Sequence, residues 1–489
     1  MSTIATIVEE ARLAALALVE YAGGLVNPTV RLGVTGLTRS GKTVFITALV
    51  HHLLHGGHLP VFEALAAGRI ARARLEPQPD DAVPRFDYET HARALVEQRR
   101  WPESTRRIGE LRVVIDYQSA QGSDRTLTLD IIDYPGEWLL DLPLIGKSYA
   151  EWSAETVKLS REPPRRELAA AWHEHLATLL PEGPADELAA QEAARRFTEY
   201  LKASRAERYA MSLLPPGRFL MPGDLAGSPA LTFAPLELSG EDSAPTGSLW
   251  AMMERRYEAY KTVVVRPFFR DHFARLDRQI VLVDVLAALN AGPAALRDLE
   301  VALAAILDCF RAGRRSWLSN MFRPRIDRIL FAATKADHLH HVSHDRLERV
   351  LARMTERAIA HASFAGSTVD VVAIAAVRAT REAMVSRGRD RLPSIIGVPI
   401  AGEIAGAELF DGETETAMFP GDLPEDPEAL FGGDAKIFHG MTDASHGEAD
   451  YRFLRFRPPA LETAEGASPS LPHIRLDRAL QFLLGDHLA

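Results

Sequence analysis

The run Gly36-Leu37-Thr38-Arg39-Ser40-Gly41-Lys42-Thr43 has the residue types that cradle a phosphate chain. Glycine permits the tight turn and the close backbone approach, so the N–H groups from Gly36 through Thr38, Arg39, Ser40 and Gly41 can wrap a β-phosphate. Lys42 would reach the β- and γ-phosphate oxygens, and the Thr43 hydroxyl would ligate magnesium. A helix starting at this point adds partial positive charge.

A second group follows in Leu129-Asp130-Ile131-Ile132-Asp133-Tyr134-Pro135-Gly136-Glu137. Asp133 ends an apolar strand, where a carboxylate would orient magnesium through its water shell, and the Gly136 N–H would meet a γ-phosphate. Glu137 would orient the attacking water or accept its proton; a solvated loop carboxylate is the competing assignment. Thr105, in Trp101-Pro102-Glu103-Ser104-Thr105-Arg106-Arg107, is the threonine best placed to close on magnesium and the γ-phosphate. Arg39, Arg106 and Arg107 are candidates to stabilise transition-state charge, against the plainer role of solvated or structural cations.

Thr334-Lys335-Ala336-Asp337 decides the base. A carboxylate such as Asp337 accepts both the N1–H and the exocyclic N2–H of guanine, a donor pair adenine lacks. Lys335 would lay its aliphatic stem over the ring, and Thr334 stands where asparagine is usual. The backbone of Ala376 and Val377, after a further strand, would contact guanine O6. The expected ligands are GTP or GDP with magnesium.

These groups need a sheet to bring them together. Thr29 to Thr35 reads as a strand feeding the glycine turn, and Val44 to Leu54 carries helical apolar spacing. Leu111–Tyr117 and Leu127–Asp133 read as a hairpin across a turn at residues 120–124. Residues 56–103 are polar, arginine-rich and helical in part. Apolar strands at Ile280–Val285, Arg328–Ala333 and Thr368–Ala375 alternate with helices at Ala294–Phe310 and Asp345–Ala362. That rhythm predicts an α/β fold of the P-loop NTPase type: a mostly parallel sheet with helices on both faces.

The expected organisation is an N-terminal amphipathic helix over 1–28, the first part of the core over 29–137 and a large helical insertion over 138–277. The second part of the core spans 278–400. Residues 401–489 add an acidic loop, an edge strand near Tyr451–Phe456 and a C-terminal helix packed on the core. Within the insertion, helices are expected at Glu167–Leu180 and Asp186–Lys202.

Composition narrows the function class. A net charge of -10 argues against a general nucleic-acid binder, because no global positive field draws in phosphate backbone. The single cysteine, Cys309, allows no intramolecular disulfide and suggests a reducing, cytoplasmic compartment. The segment Ile4–Tyr21 is broken by Glu9, Glu10, Arg12 and Glu20, so it reads as neither a signal peptide nor a membrane span. His51, His52, His55 and His58, and then His338, His340, His341 and His344, invite a metal assignment. With no acidic ligand clustered nearby in sequence, they are expected on helix surfaces and loops.

The order of these motifs, Gly36 to Thr43, Asp133 to Trp138, Thr334 to His338 and the tail Leu476 to Leu488, resembles the YcjX-like family of bacterial stress-associated P-loop GTPases. The resemblance spans nearly the whole chain. It implies a TRAFAC-like GTPase core, guanine nucleotide, magnesium and an association with a protein partner at the inner membrane. Three functions stand as expectations: a hydrolysing GTPase switch, an ATP-using P-loop enzyme, and a nucleotide-gated scaffold with little turnover. The ATP alternative is disfavoured because Tyr134 rather than Glu follows Asp133 and because Thr334–Asp337 would have no role.

Overall fold

The structure is a computed structural model that describes residues 28–37, 39–103, 105, 107–238, 243–309, 326–364, 366–387, 390–405, 408–432, 453–461 and 470–489. The expected N-terminal helix, apart from residue 28, lies outside them, as do Thr38 and Arg106.

A seven-stranded sheet organises the chain. Its strands are β1 (Thr29–Gly36), β2 (Ile70–Glu76), β3 (Gly109–Gln118), β4 (Asp124–Asp133), β5 (Arg278–Val283), β6 (Arg328–Ala333) and β7 (Thr368–Ala373), in the order β2-β3-β4-β1-β5-β6-β7. From β4 to β7 every pairing is parallel, while β2–β3 and β3–β4 are antiparallel. All six residues of β5 are buried, as a strand covered on both faces requires. Successive side chains divide between the faces: Ile280 and Leu282 join one apolar cluster, Val281 and Val283 the other.

One face packs α1 (Lys42–His55) and the C-terminal helix: Phe45 and Leu49 share a cluster with Leu480 and Leu483. A further helix, α2 (Tyr88–Val96), starts at Asp87, whose side chain accepts the Thr90 N–H. The opposite face carries the helices of residues 138–277 together with later core helices. In chain order these are α3 (Tyr149–Ser160), α4 (Glu187–Ser204), α5 (Leu249–Tyr260), α6 (Pro293–Cys309) and α7 (His344–Phe364); α8 (Leu476–Leu484) is the C-terminal helix. The helices between β4 and β5 have an aromatic centre. Trp152 stacks on Tyr257 at 5.1 Å and meets Phe197 and Phe233 edge-on. Such pairs add roughly 0.5–1.5 kcal/mol each beyond area burial.

The link between these helices and the main sheet is buried. Asp141, on the 3-10 segment Gly136–Gly146, accepts the Gly217 N–H at 2.7 Å and the Tyr260 hydroxyl at 2.7 Å. Gly217 approaches so closely that an added Cβ would lie 1.7 Å from the Glu137 carbonyl oxygen. Burial pushes the Asp141 carboxyl up to about 7, against the pull of its hydrogen bonds.

Several elements differ from expectation. The arginine-rich 56–103 stretch contains β2, an edge strand whose Ile-Ala-Arg-Ala-Arg pattern alternates with period two. Its charged side chains suit an unpaired edge. The helix expected over Glu167–Leu180 breaks into Arg165–Leu168 and Ala170–Leu176. An antiparallel hairpin, β8 (Arg381–Arg387) with β9 (Asp390–Gly397), forms a second small sheet with Thr416–Met418, and no sequence signal marked it. The acidic stretch after residue 402 exposes many carboxylates but buries Phe410, Leu423 and Leu430, so its described part is docked. Residues 453–456 form no strand; they make one isolated bridge, Phe456 to Pro399, and residues 451 and 452 lie outside the described set.

Candidate nucleotide site

The turn after β1 is shaped by close approach. A Cβ on Gly36 would lie 2.5 Å from the Leu282 carbonyl oxygen, and one on Gly136 would lie 1.6 Å from the Gly36 carbonyl oxygen. Only glycine fits where these segments meet. Gly41 and Arg39 adopt left-handed conformations, with φ of 83° and 62°. The start of α1 carries no side-chain cap, so its first N–H groups are available to an anion. Lys42 is 9% exposed, and its Nζ donates to the Gly36 carbonyl at 3.1 Å.

Three oxygen donors from three segments converge beside it. The Thr43 and Thr105 hydroxyls are 3.2 Å apart, and Thr105 Oγ1 donates to Asp133 Oδ2 at 2.5 Å. The other carboxylate oxygen, Asp133 Oδ1, is buried with no hydrogen-bond partner among the described residues. A buried orphan acceptor calls for an explanation. An all-oxygen set with one such atom fits a hard divalent cation and its water. Burial pushes the Asp133 carboxyl up to about 6, while the Lys42 charge and the Thr105 hydroxyl pull it down.

At the far end, β6 delivers Thr334, Lys335 and Asp337, which is 4% exposed. Lys335 is held in a left-handed conformation (φ 61°), and its Nζ pairs with Asp284 Oδ2 at 2.5 Å. Asp337 Oδ2 accepts the Ala379 N–H at 2.8 Å, and its carbonyl accepts the Thr380 hydroxyl. Burial raises the Asp337 carboxyl to about 6, opposed by the Ala379 N–H.

One cavity of about 450 Å³ joins the two ends. Arg39 to Thr43, Thr105 and Glu137 line one part; Thr334, Lys335, Asp337, Ala376 and Val377 line another. Its volume lies in the ordinary range for small-molecule sites. Gly36, Asp133 and Gly136 stand behind this lining, touching it through Lys42, Thr105 and Leu37 respectively. The parallel sheet accounts for the geometry: β1, β4, β5 and β6 all end at the same edge, where ligands of open α/β sheets bind.

Glu137 is not the solvated loop carboxylate weighed above: it is 4% exposed and pairs with Arg205 at 3.1 Å. Arg39 points to the cavity rim, 3.2 Å from Glu207, an acid it shares with Arg455 at 3.4 Å. Arg107 is exposed. Arg205 and Asp284 also line the cavity, and sequence reasoning missed both. Asp284 directly follows the apolar β5, a signal that was available; Arg205, in a charged helix end of residues 204–208, carried none.

The histidines are less exposed than expected. His51, His52, His338, His340 and His344 are all buried: α1 packs with the sheet and the C-terminal helix, and His338 packs edge-on against Phe456. Burial and neighbouring His473 push His52 down to about 3. An acidic neighbour does reach the second group: Glu382 of β8 lies 2.5 Å from His341 Nδ1 and 3.9 Å from His340 Nε2. Arg378 also donates to that carboxylate at 3.2 Å, making an ion-paired cluster.

Comparison with known proteins agrees with the geometry. The YcjX-like family, DUF463, matches residues 30–488. A protein of Escherichia coli (strain K12) named Ras-like GTPase YcjX is 36% identical over 479 residues, covering 95% of this chain and 97% of its own. A protein of the same name from Shewanella oneidensis is 35% identical over 486 residues, covering 94% of each. With a P-loop α/β core matched along nearly its whole length, the chain belongs to the YcjX-like family.

Proposed function

We propose that this chain binds GTP with magnesium in the cavity described above and hydrolyses it slowly to GDP and phosphate, acting as a conformational switch. What carries the proposal is that Lys42 and Asp337 line one cavity from opposite ends. The name Ras-like GTPase borne by its relatives supports it. A cytoplasmic setting, a role in a stress response and a peripheral partner at the inner membrane belong to the same proposal.

The residues divide the work. Asp337 reads the guanine N1–H and N2–H, Lys335 covers the ring, and the backbone at Ala376 and Val377 meets O6. Backbone N–H groups from Gly36 to Gly41 and the start of α1 hold the phosphates, with Lys42 on the β- and γ-oxygens. Thr43, Thr105 and Asp133 would hold magnesium, which neutralises charge on the phosphate chain when bound. Gly136 offers its N–H to the γ-phosphate. In hydrolysis a water oxygen bonds to the γ-phosphorus, and the bond from that phosphorus to the β–γ bridging oxygen breaks, leaving its electron pair on GDP. Glu137 orients the water and passes its proton to the departing phosphate.

Single-turnover hydrolysis tests this. GDP is expected to compete with GTP at least about 100-fold better than ADP, and Glu137→Ala is expected to slow the chemical step about 100-fold. Equal competition by ADP would remove the guanine assignment. Equal slow rates in wild type and Glu137→Ala would favour the scaffold alternative, which the engagement of Glu137 by Arg205 keeps in view.

The raised Asp337 carboxyl has a pH signature. Guanine needs the ionised form, and the free site holds its proton up to about pH 6. Affinity is therefore full above that pH and falls as pH drops through it, by up to tenfold per unit. GDP titrations at descending pH check the slope. Asp337→Asn, lacking the acid, should lose that part of it; an unchanged slope would assign the dependence to another group.

A further inference from the structure

We propose that Arg205 is the catalytic cation of this site, supplied in cis from the end of α4, and that it leaves Glu137 for the γ-phosphate as GTP reacts. The inference rests on the GTPase proposal and adds a residue that none of the motifs contains.

The first observation is position. Arg205 lines the cavity shared by Lys42, Thr43 and Glu137, and its guanidinium lies 3.1 Å from Glu137 Oε1. Glu137 directly follows Gly136, whose backbone abuts the Gly36 carbonyl of the phosphate loop. Arg205 therefore stands at the γ-phosphate end. Its side chain keeps 27% exposure, while that of Glu137 keeps 5%, so the cation has room to move.

The second observation is support. The Arg205 N–H bonds the Leu201 carbonyl at 3.0 Å, closing α4, and the Ser204 carbonyl accepts the Met211 N–H at 3.1 Å. Asp298 of α6 then accepts the Ser212 and Leu213 N–H groups at 2.6 and 2.9 Å and pairs with buried Arg165. The backbone carrying Arg205 is thus held at both ends, so a swing of the side chain alone carries the guanidinium from Glu137 toward the developing charge.

The third is the state of its rivals. Arg39 is half exposed and turned to Glu207 on the rim; Arg455 is divided between Glu207 and Glu403; Arg107 is exposed. Arg205 alone among these four is paired with a carboxylate next to the expected γ-phosphate contact. A guanidinium offers a planar fork matched to two phosphate oxygens, which an ammonium does not. The γ-phosphate also bears more charge than one carboxylate and gains more as its bond to the bridging oxygen breaks. The exchange frees Glu137 to take the water, so one movement completes both roles and reports the nucleotide state to the helices of residues 138–277.

The test uses the full chain as wild type, Arg205→Ala, Arg205→Lys, Glu137→Ala and the Ala/Ala double variant. Arg205→Ala should lower single-turnover GTP hydrolysis about 10³-fold, with GDP affinity within about threefold of wild type. Arg205→Lys should recover only a small part. Magnesium-GDP with aluminium fluoride should form a stable complex with wild type and with Glu137→Ala, and not with Arg205→Ala. In the Glu137→Ala background, removing Arg205 should still cost a large factor. No further loss there, with trapping intact in Arg205→Ala, would make Arg205 a mere holder of Glu137 and overturn the proposal. Wild-type turnover with an unimpaired Arg205→Ala variant overturns this role alone; no GTP turnover in wild type overturns the GTPase proposal and this role with it.

Discussion

Lys42→Ala is expected to yield a folded protein that no longer binds guanine nucleotide at micromolar concentrations. Lys42 is 9% exposed and its ammonium donates at 3.1 Å to the Gly36 carbonyl, at the turn where the phosphate chain would lie. Removing one partner of a desolvated, hydrogen-bonded charge pair costs about 2–5 kcal/mol, or roughly two to four decades of affinity. Asp133, buried beside it, would also lose the charge that favours its ionised form. The fold should survive, because α1 is anchored by Phe45, Ile46, Leu49 and Leu53 rather than by Lys42. Titration with fluorescent GDP, alongside a thermal melt, checks both halves. A variant that melts like wild type and binds within about tenfold of it would place the phosphates elsewhere.

Asp337→Asn should change which base is bound. In the proposed complex the ionised carboxylate would accept two guanine N–H groups, each charge-assisted bond contributing about 1.5–3 kcal/mol. An asparagine amide accepts one and presents its NH2 to the other, so GDP affinity should fall about 100-fold or more. The same NH2 suits the C2 carbonyl of xanthine, and XDP should then bind better than GDP. The substitution is tolerable to the fold because the asparagine oxygen can still accept the Ala379 N–H now held at 2.8 Å. Paired GDP and XDP titrations decide it: unchanged GDP affinity would show that Asp337 does not read the base.

The two substitutions act at opposite ends of one cavity, and their effects should be nearly independent. In the proposed complex Lys42 would answer to the phosphates through β1 and α1, Asp337 to the base through β6. Retained guanine preference in residual binding by Lys42→Ala would agree with that division.

Local chemistry made much of the site legible. The phosphate loop, the Asp133 turn and Thr334–Asp337 each follow an apolar strand, so composition alone placed them at strand ends, and the unbroken apolar runs of β5 and β6 implied burial on both faces. What escaped had no periodic signal. β2 went unmarked within the polar stretch 56–103, expected to be helical in part, because arginines dominate its composition, and the β8–β9 hairpin stands outside the main sheet. The small sheet mattered for the histidines, since β8 brings Glu382 to His340 and His341 across about 40 residues.

From its residues alone, this protein was determined to have a P-loop α/β core and chemically matched phosphate and guanine motifs, because those depend on short runs whose spacing sets backbone geometry. Tertiary structure alone decided that Thr105 meets Thr43 and Asp133, that Asp284 holds Lys335, and that Arg205 pairs with Glu137 at the cavity wall. Each of those contacts joins residues 28 to 68 positions apart, through packing against a shared sheet edge. Burial, not spacing, then raised the Asp133 and Asp337 carboxyls and left Asp133 Oδ1 without a partner among the described residues.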